Sequence, residues 1–356
     1  MVHLAARGSL LVVGPTQSGK TSSLVVPAIL NWPDALVVTS VKRDVLDATR
    51  AWRSRLGNVD VLEPGREHGL TWNPLEGVTS LRHATRVARD LTLSAGERGD
   101  GEFWNALATK LVAALMVMAS SRGEGIFAVA HLVESRRLEP WSRASGDAAA
   151  IVRSFLDYDP KTLDGVLTTA ETMLYPWRFV QPCASVRSVV AGANSLYLCS
   201  PQGEQRHYEA MFRGALRMVL EEQQRRVDAK NARRVLFVLD EAATVASLEE
   251  LDQLAATVSG LNVTLITVVQ DFAQLRARWG ERAATIVNNH ATRVVVAGLA
   301  DPTVATYLPE LVGDAFVPIR RAPPRTAFVV TGNRAAFRVR LRPWWRWRRL
   351  RGRGTH

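Results

Sequence analysis

The sequence predicts an α/β fold with a mostly parallel sheet interrupted by an all-helical insertion. Three observations carry that expectation. Short apolar runs recur in the first and last parts of the chain, separated by helical patterns, as expected for strands buried on both faces. Residues 77–184 show helical periodicity and little strand signal. A glycine loop follows the first apolar run directly, and a later run ends in two adjacent acids.

Taken in order, Leu10–Val13 is expected as a strand, Thr21–Leu30 as a helix and Leu36–Thr39 as a second buried strand. Asp44–Arg55 reads as a second helix and Val59–Leu62 as a third strand. Within the insertion Phe103–Ala119 is the clearest helix, with Phe103, Leu107, Leu111, Ala114, Leu115 and Met118 at helical spacing; Val166–Leu174 is another. Strands return at Ser195–Cys199, Val235–Leu239, Val263–Val269 and Arg293–Ala297. Helices are expected between and after them at Glu204–Val227, Leu248–Val258, Phe272–Trp279 and Asp301–Leu308. Phe328–Thr331 and Phe337–Leu341 read as a terminal hairpin turning at Gly332-Asn333. No internal repeat of fixed period is visible.

The 356 residues suit two domains, or one large domain with an insertion. Apolar residues make up 47% and charged residues 22%, which supplies a sizeable core and excludes a disordered chain, a collagen or a coiled coil. Cys183 and Cys199 are too few for a disulfide framework or a zinc ribbon, which points to a reducing compartment. The longest near-pure apolar stretch, Leu111–Ala119, falls short of the roughly 18 residues of a spanning helix. Met1–Arg7 has no long apolar segment ending in a cleavage site, so no signal peptide is expected. The formal charge is +11, yet Arg320–His356 holds 12 arginines and no acid, so the remaining 319 residues are nearly neutral, at −1. The basic character therefore belongs to a C-terminal arm, not to the body.

Gly14-Pro15-Thr16-Gln17-Ser18-Gly19-Lys20-Thr21 fits Gly-x4-Gly-Lys-Ser/Thr without a gap, between an expected strand and an expected helix. The glycines let the backbone curl so that successive N–H groups meet phosphate oxygens, and the helix offers its N-terminus to the same anion. Lys20 supplies a mobile cation for the β- and γ-phosphates of ATP, and Thr21 a hydroxyl for Mg²⁺. Val235–Leu239 runs into Asp240-Glu241. Asp240 is expected to hold the Mg²⁺ shell, and Glu241 to polarise attacking water, which favours hydrolysis over transfer to another substrate. Gln270 ends the next strand, where a glutamine can sense the γ-phosphate and orient water.

With these motifs in place, the chain resembles the coupling proteins of type IV secretion and bacterial conjugation, the TraG/TraD-like ATPases. The resemblance covers most of the chain. It is carried by Gly8–Asn31, Thr39-Ser40-Val41-Lys42-Arg43-Asp44, Thr71-Trp72-Asn73-Pro74-Leu75 and Phe103-Trp104. Further on it is carried by Asp240-Glu241 with Gln270 and Gln274-Leu275, then by Ile286–Asn289 leading to Gly298–Asp301. General nucleic-acid ATPases share only the first and fifth of these blocks. The resemblance implies a RecA-like P-loop NTPase, often hexameric, that uses ATP and Mg²⁺ to link DNA or a relaxase–DNA complex to a secretion channel at the inner membrane. The DNA would be single-stranded, and the protein would work at the cytoplasmic face of that membrane. Residues 1–76 and 185–341 are then two parts of a nucleotide-binding domain, 77–184 an all-helical inserted domain that helps recognise substrate or its adaptor, and 342–356 a basic, tryptophan-rich arm.

Two rival functions stay open at this point: an ATP-binding docking receptor without processive motion, and a chromosome-type DNA pump. The arm Arg342–Arg349 interleaves arginine and tryptophan, which suits nucleic acid, an anionic membrane surface, or tryptophans packed on the body beneath solvated arginines. Lys42 and Arg43 allow either a ligand contact or a surface pair at a helix start. An arginine that reaches a neighbouring subunit's nucleotide has Arg276, Arg278 and Arg293 as candidates, though each reads more readily as a structural or solvated arginine. His207, His290 and Cys199 lack metal-ligand spacing, and Asp157 and Asp159 read as loop acids.

Overall fold

The computed structural model describes residues 8–66, 69–92, 100–178, 181–200, 203–245, 248–299, 322–332 and 335–355. In chain order the strands are β1 (Gly8–Val13), β2 (Ala35–Ser40), β3 (Val59–Leu62), β4 (Thr71–Trp72), β5 (Cys183–Ala184) and β6 (Ser195–Cys199). They continue with β7 (Val235–Leu239), β8 (Val263–Val269), β9 (Thr292–Val296), β10 (Thr326–Thr331) and β11 (Phe337–Arg340). The helices are α1 (Val26–Asn31), α2 (Asp44–Arg53), α3 (Leu81–Asp90), α4 (Asp100–Ser121), α5 (Ile126–Glu134) and α6 (Glu139–Ser142). They continue with α7 (Asp147–Leu156), α8 (Pro160–Leu174), α9 (Gln205–Asp228), α10 (Leu251–Thr257), α11 (Phe272–Trp279), α12 (Arg282–Asn289) and α13 (Arg348–Arg351). The expected helix Asp301–Leu308 and the turn residue Asn333 lie outside the described residues.

The chain divides into two compact units. The first comprises residues 1–61, 187–205 and 219–356. Its sheet has the strand order β11-β10-β9-β1-β8-β7-β2-β6-β3. The inner strands from β9 through β6 pair in parallel, while β10 runs antiparallel to both β9 and β11. Strands β2, β6, β7 and β8 are buried at every position, which is why they read as unbroken apolar runs. One side of this core gathers Leu10, Val12, Leu36, Val38, Val268 and Val294. At the opposite edge from the strand C-termini, Arg53 is fully buried. It donates to Ser195 Oγ (2.8 Å) and to the carbonyls of Trp32 (2.6 Å), Asp34 (2.7 Å) and Ala193 (3.1 Å). Those bonds replace the water a buried guanidinium loses, and they tie the β2 and β6 entries to α2.

The helix expected at Thr21–Leu30 is present, but its first turn is not α-helical. Thr21–Val25 forms a π-helical turn that leads into α1, with the Val26 N–H bonding back to the Thr21 carbonyl. Pro27 has no N–H to offer the regular ladder, so the first turn widens.

The arm at 342–356 is part of this first unit rather than a separate element. Trp344 and Leu350 are buried with Val26 and Leu30 of α1 and Ala48 of α2, and Trp52, Trp345 and Trp347 pack around them. Arg353 donates to the Leu30 carbonyl (3.1 Å) and sits 4.6 Å from the Trp52 ring centroid. The Thr355 N–H bonds the Ala48 carbonyl (3.2 Å).

The second unit comprises residues 62–186 and 206–218. It begins earlier than the expected residue 77 and takes in the first half of α9. Trp72 explains both: it is fully buried, donates through Nε1 to the Met211 carbonyl (3.2 Å), and meets the Trp177 ring edge-on at 6.0 Å. The unit is not purely helical, since β4 and β5 form a short parallel pair. Helix α4 lies among α3, α5, α7 and α8, with Leu111–Leu115 fully buried. By length and composition α4 is apolar enough to cross a membrane, which the nine-residue run read from sequence did not register. Asp159 lies in the loop before α8, as expected, and has a further role there. It caps α8, accepting from the Lys161 and Thr162 N–H groups at 3.1 Å, with Pro160 at the first helical position.

Candidate functional site

Parallel pairing brings five strand C-termini of the first unit, those of β1, β2, β7, β8 and β9, to one edge. Val13 pairs with Val269 and with Val295, so the loop after β1 emerges between the ends of β8 and β9. Thr39 pairs with Leu239, so the residues after β2 and β7 emerge side by side. Ligands of open parallel sheets collect at such an edge.

The loop Gly14–Thr21 starts buried and rises to exposed Thr16 and Gln17 before returning to half-buried Ser18, Gly19, Lys20 and Thr21. The Gly14 N–H bonds the Val269 carbonyl (3.3 Å), and a Cβ at Gly14 would lie 2.6 Å from Val296 Cβ. Only glycine lets the loop start this close to β9. Gln17 and Gly19 adopt φ of 58° and 89°, left-handed turns that curl the loop. Ser18 Oγ donates to the Pro15 carbonyl (2.7 Å). The Lys20 ammonium bends back to the carbonyls of Gly14 and Pro15, the latter at 2.7 Å.

Asp240 follows β7 directly, 6% exposed. Its backbone N–H bonds the Thr39 carbonyl (3.2 Å), and the Thr21 hydroxyl donates to its Oδ2 (3.4 Å). Burial first, then the carboxylates of Asp44 and Glu241, push the Asp240 carboxyl up to about 7; Lys20 and the Thr21 hydroxyl oppose the shift. Burial also lowers the Lys20 ammonium, against the pull of Asp240, Glu241 and Asp271. Glu241 holds φ at 54°, a left-handed conformation that a glutamate rarely adopts. Gln270 lies one residue beyond the partner of Val13, next to the loop, and its N–H bonds Gln274 Oε1 (3.0 Å).

The phosphate loop Gly14–Thr21 and the positions Asp240, Glu241 and Gln270 therefore lie together at this edge. Sequence reading missed two acids that act on them. Asp44 opens α2, close behind β2, which pairs with β7; Asp271 directly follows Gln270 and caps α11 by accepting from the Gln274 N–H (2.6 Å). Position after a strand end was the available signal for both. Of the other candidates, Arg43 pairs with Asp47 (3.8 Å), and Arg276 with Glu281 (3.8 Å). His290 is a core residue held by Ile286 O (2.7 Å) and Thr267 Oγ1 (2.9 Å). Gly298, beside Pro15, places the Gly298-Leu299 block at the loop, whereas Asn73 accepts from the Leu75 and Ile126 N–H groups and shapes a corner of the second unit.

The donor set fits a nucleotide with a divalent cation. The Lys20 ammonium bonds loop carbonyls that phosphate oxygens can replace, and a hydroxyl and a buried carboxylate face one another among further acids. A phosphate loop after a parallel strand, facing an Asp-Glu pair from the same sheet edge, defines the class: this is a RecA-like P-loop NTPase fold. Residues 4–323 match the family model described as type IV secretory system conjugative DNA transfer, and the chain belongs to that family. It is 24% identical over 314 residues to the conjugal transfer protein TraG of Escherichia coli, covering 76% of this chain and 49% of that protein. It is 23% identical over 330 residues to protein VirD4 of Rhizobium rhizogenes, covering 85% of this chain and 49% of that protein. The chain thus spans about half the length of these curated relatives. Among solved structures it is similar to the bacterial conjugative coupling protein TrwB (TM-score 0.72, 18% identity, 94% of this chain and 85% of that one). TrwB has also been solved with ADP and Mg²⁺.

Proposed function

We propose that this chain is the ATP-hydrolysing part of a coupling motor that recruits DNA or a relaxase–DNA complex and drives it into a type IV secretion channel. The observation that carries the reading is the meeting of Thr21 and Asp240, 219 residues apart, at the mouth of the phosphate loop. Gly14, Pro15, Thr16, Gln17, Ser18 and Gly19 wrap the phosphates. Lys20 leaves the loop carbonyls to neutralise the β- and γ-phosphates. Thr21 and Asp240 hold Mg²⁺, which when bound offsets phosphate charge. Glu241, adjacent to Asp240, takes a proton from the attacking water, and Gln270 at the end of β8 orients that water. TrwB with ADP and Mg²⁺ supports the assignment of these ligands. By family, the working state is a hexamer at the cytoplasmic face of the inner membrane, and the second unit contributes to substrate recognition.

The test is ATP turnover of the full chain over a range of protein concentrations, with and without single- and double-stranded DNA. Turnover that rises with concentration and with DNA supports a motor whose site is completed between subunits. ATP binding with turnover indifferent to DNA supports a docking receptor instead. Turnover no higher than that of Lys20→Ala overturns the enzymatic reading.

A further inference from the structure

The tail and the last strand form a surface that the nucleotide site does not use. Along β11 and the two residues after it, Val339 and Leu341 turn into the core, while Arg338, Arg340 and Arg342 are exposed. Arg342 lies over the Trp347 ring at 5.3 Å, which joins the strand to the tail. There Arg346, Arg348, Arg349 and Arg351 are exposed in turn. No acidic residue occurs from Arg320 to the end of the chain.

The apolar side chains of this segment face the other way. Trp344 and Leu350 are 4% and 1% exposed, and Trp345 and Trp347 are half-buried against α1 and α2. A Cβ on Gly354 would lie 2.4 Å from the Trp344 ring, so the chain closes tightly over the indole. The buried side chains hold the backbone that carries these arginines against the body, so the guanidinium groups extend from an anchored segment.

We infer that this arginine face is a docking surface for the phosphodiester backbone of DNA. Charge complementarity selects a polyanion, and several exposed arginines on one anchored segment supply guanidinium groups for successive phosphates. Trp344 is buried, Trp345 and Trp347 are half-buried against the body and Arg342 covers the Trp347 ring, which leaves little ring face for bases; the contact is to phosphates and carries no sequence preference. The same burial disfavours a lipid surface, where a basic segment also inserts exposed apolar side chains. In the described part of this face one large apolar ring, Phe337, is exposed, at the start of β11. The choice of DNA among polyanions rests on the proposed coupling function; the existence of the surface does not.

The experiment compares the full chain with a variant carrying Arg338→Gln, Arg340→Gln, Arg346→Gln, Arg348→Gln and Arg349→Gln. It leaves Arg342, Arg351 and Arg353 to their packing contacts. Duplex DNA of several sequences is titrated at several salt concentrations. If all five arginines meet phosphates, the slope of log K against log salt falls by up to about 4.5, at about 0.9 per contact, equally for every sequence. Replacing the same five by lysine restores most of the slope. An unchanged melting temperature confirms that the glutamine variant is folded. Unchanged salt slope and affinity in that variant overturn the surface while leaving the ATPase reading intact. A wild-type chain that hydrolyses ATP but binds no DNA overturns both this surface and the DNA arm of the proposed function. Pelleting with phosphatidylserine-containing vesicles that depends on the five arginines, with DNA affinity unaffected, assigns the face to a membrane and also overturns the proposal.

Discussion

Replacing Asp240 with asparagine should make the nucleotide-free protein more stable at pH 8 and leave it almost unchanged at pH 4. The folded carboxyl is pushed from 3.8 up to about 7, by burial and by the facing acids Asp44 and Glu241. It holds its proton in the folded chain over a pH range where the unfolded chain has lost it. Between about pH 4 and pH 7 the folded state therefore binds more protons, and stability falls as pH rises through that window. The full difference is worth about 4 kcal/mol, at about 1.4 kcal/mol for each tenfold change in proton affinity. For a chain of this size that corresponds to roughly 5 °C in melting temperature. The asparagine variant escapes this loss, so its advantage over the wild type should grow from near zero at pH 4 to its maximum above pH 7. Saturating ATP and Mg²⁺ should reverse the order, because binding relieves the carboxylate only where one exists, and wild-type binding should release a proton near pH 7. Melting curves across pH, with and without Mg·ATP, read both effects. A difference that is flat across pH, or largest at pH 4, would refute the reasoning.

Glu241→Gln should retain nucleotide binding and slow hydrolysis by about 10²-fold or more, while Gln270→Ala keeps binding with a smaller loss of turnover; normal turnover in either removes its assigned role. His290, lowered to about 4 by burial, stays neutral in the folded chain, so acidification from about pH 6.5 to pH 4 should lose about 3 kcal/mol of stability; His290→Gln should flatten that acid limb of the melting curve. Trp344→Ala should lower stability by about 3–5 kcal/mol through the cavity left among Val26, Leu30 and Ala48, measurable by urea titration. Arg53→Met leaves Ser195 Oγ and several carbonyls without their donor and should cost about 3 kcal/mol or more, whereas loss of the exposed Arg346 should cost less than about 0.5 kcal/mol.

Sequence alone determined the elements whose burial is uniform. Ser195–Cys199, Val235–Leu239 and Val263–Val269 are strands over the very residues that their apolar runs mark, because a strand covered on both faces needs apolar side chains at every position. The phosphate loop was legible for a different reason: its chemistry is local, fixed by glycine spacing and one lysine within a single turn of chain. What sequence left undecided is which strand lies beside which. Inserting β8 between β1 and β7 brings Asp240 to Thr21 and Gln270 to Gly14, and pairing β2 with β7 brings Asp44 toward the same point. Those encounters depend on sheet order, which no local periodicity encodes. The tail shows the same division from the other side. Its alternating arginines and tryptophans allowed a nucleic-acid contact, a membrane contact or packing on the body. The apolar stripe offered by Val26, Leu30, Ala48 and Trp52 buried Trp344, half-covered Trp345 and Trp347, and left most of the arginines outside. Periodicity reports that a side chain wants an apolar partner; only the folded chain supplies the partner, because the surfaces that meet come from segments hundreds of residues apart.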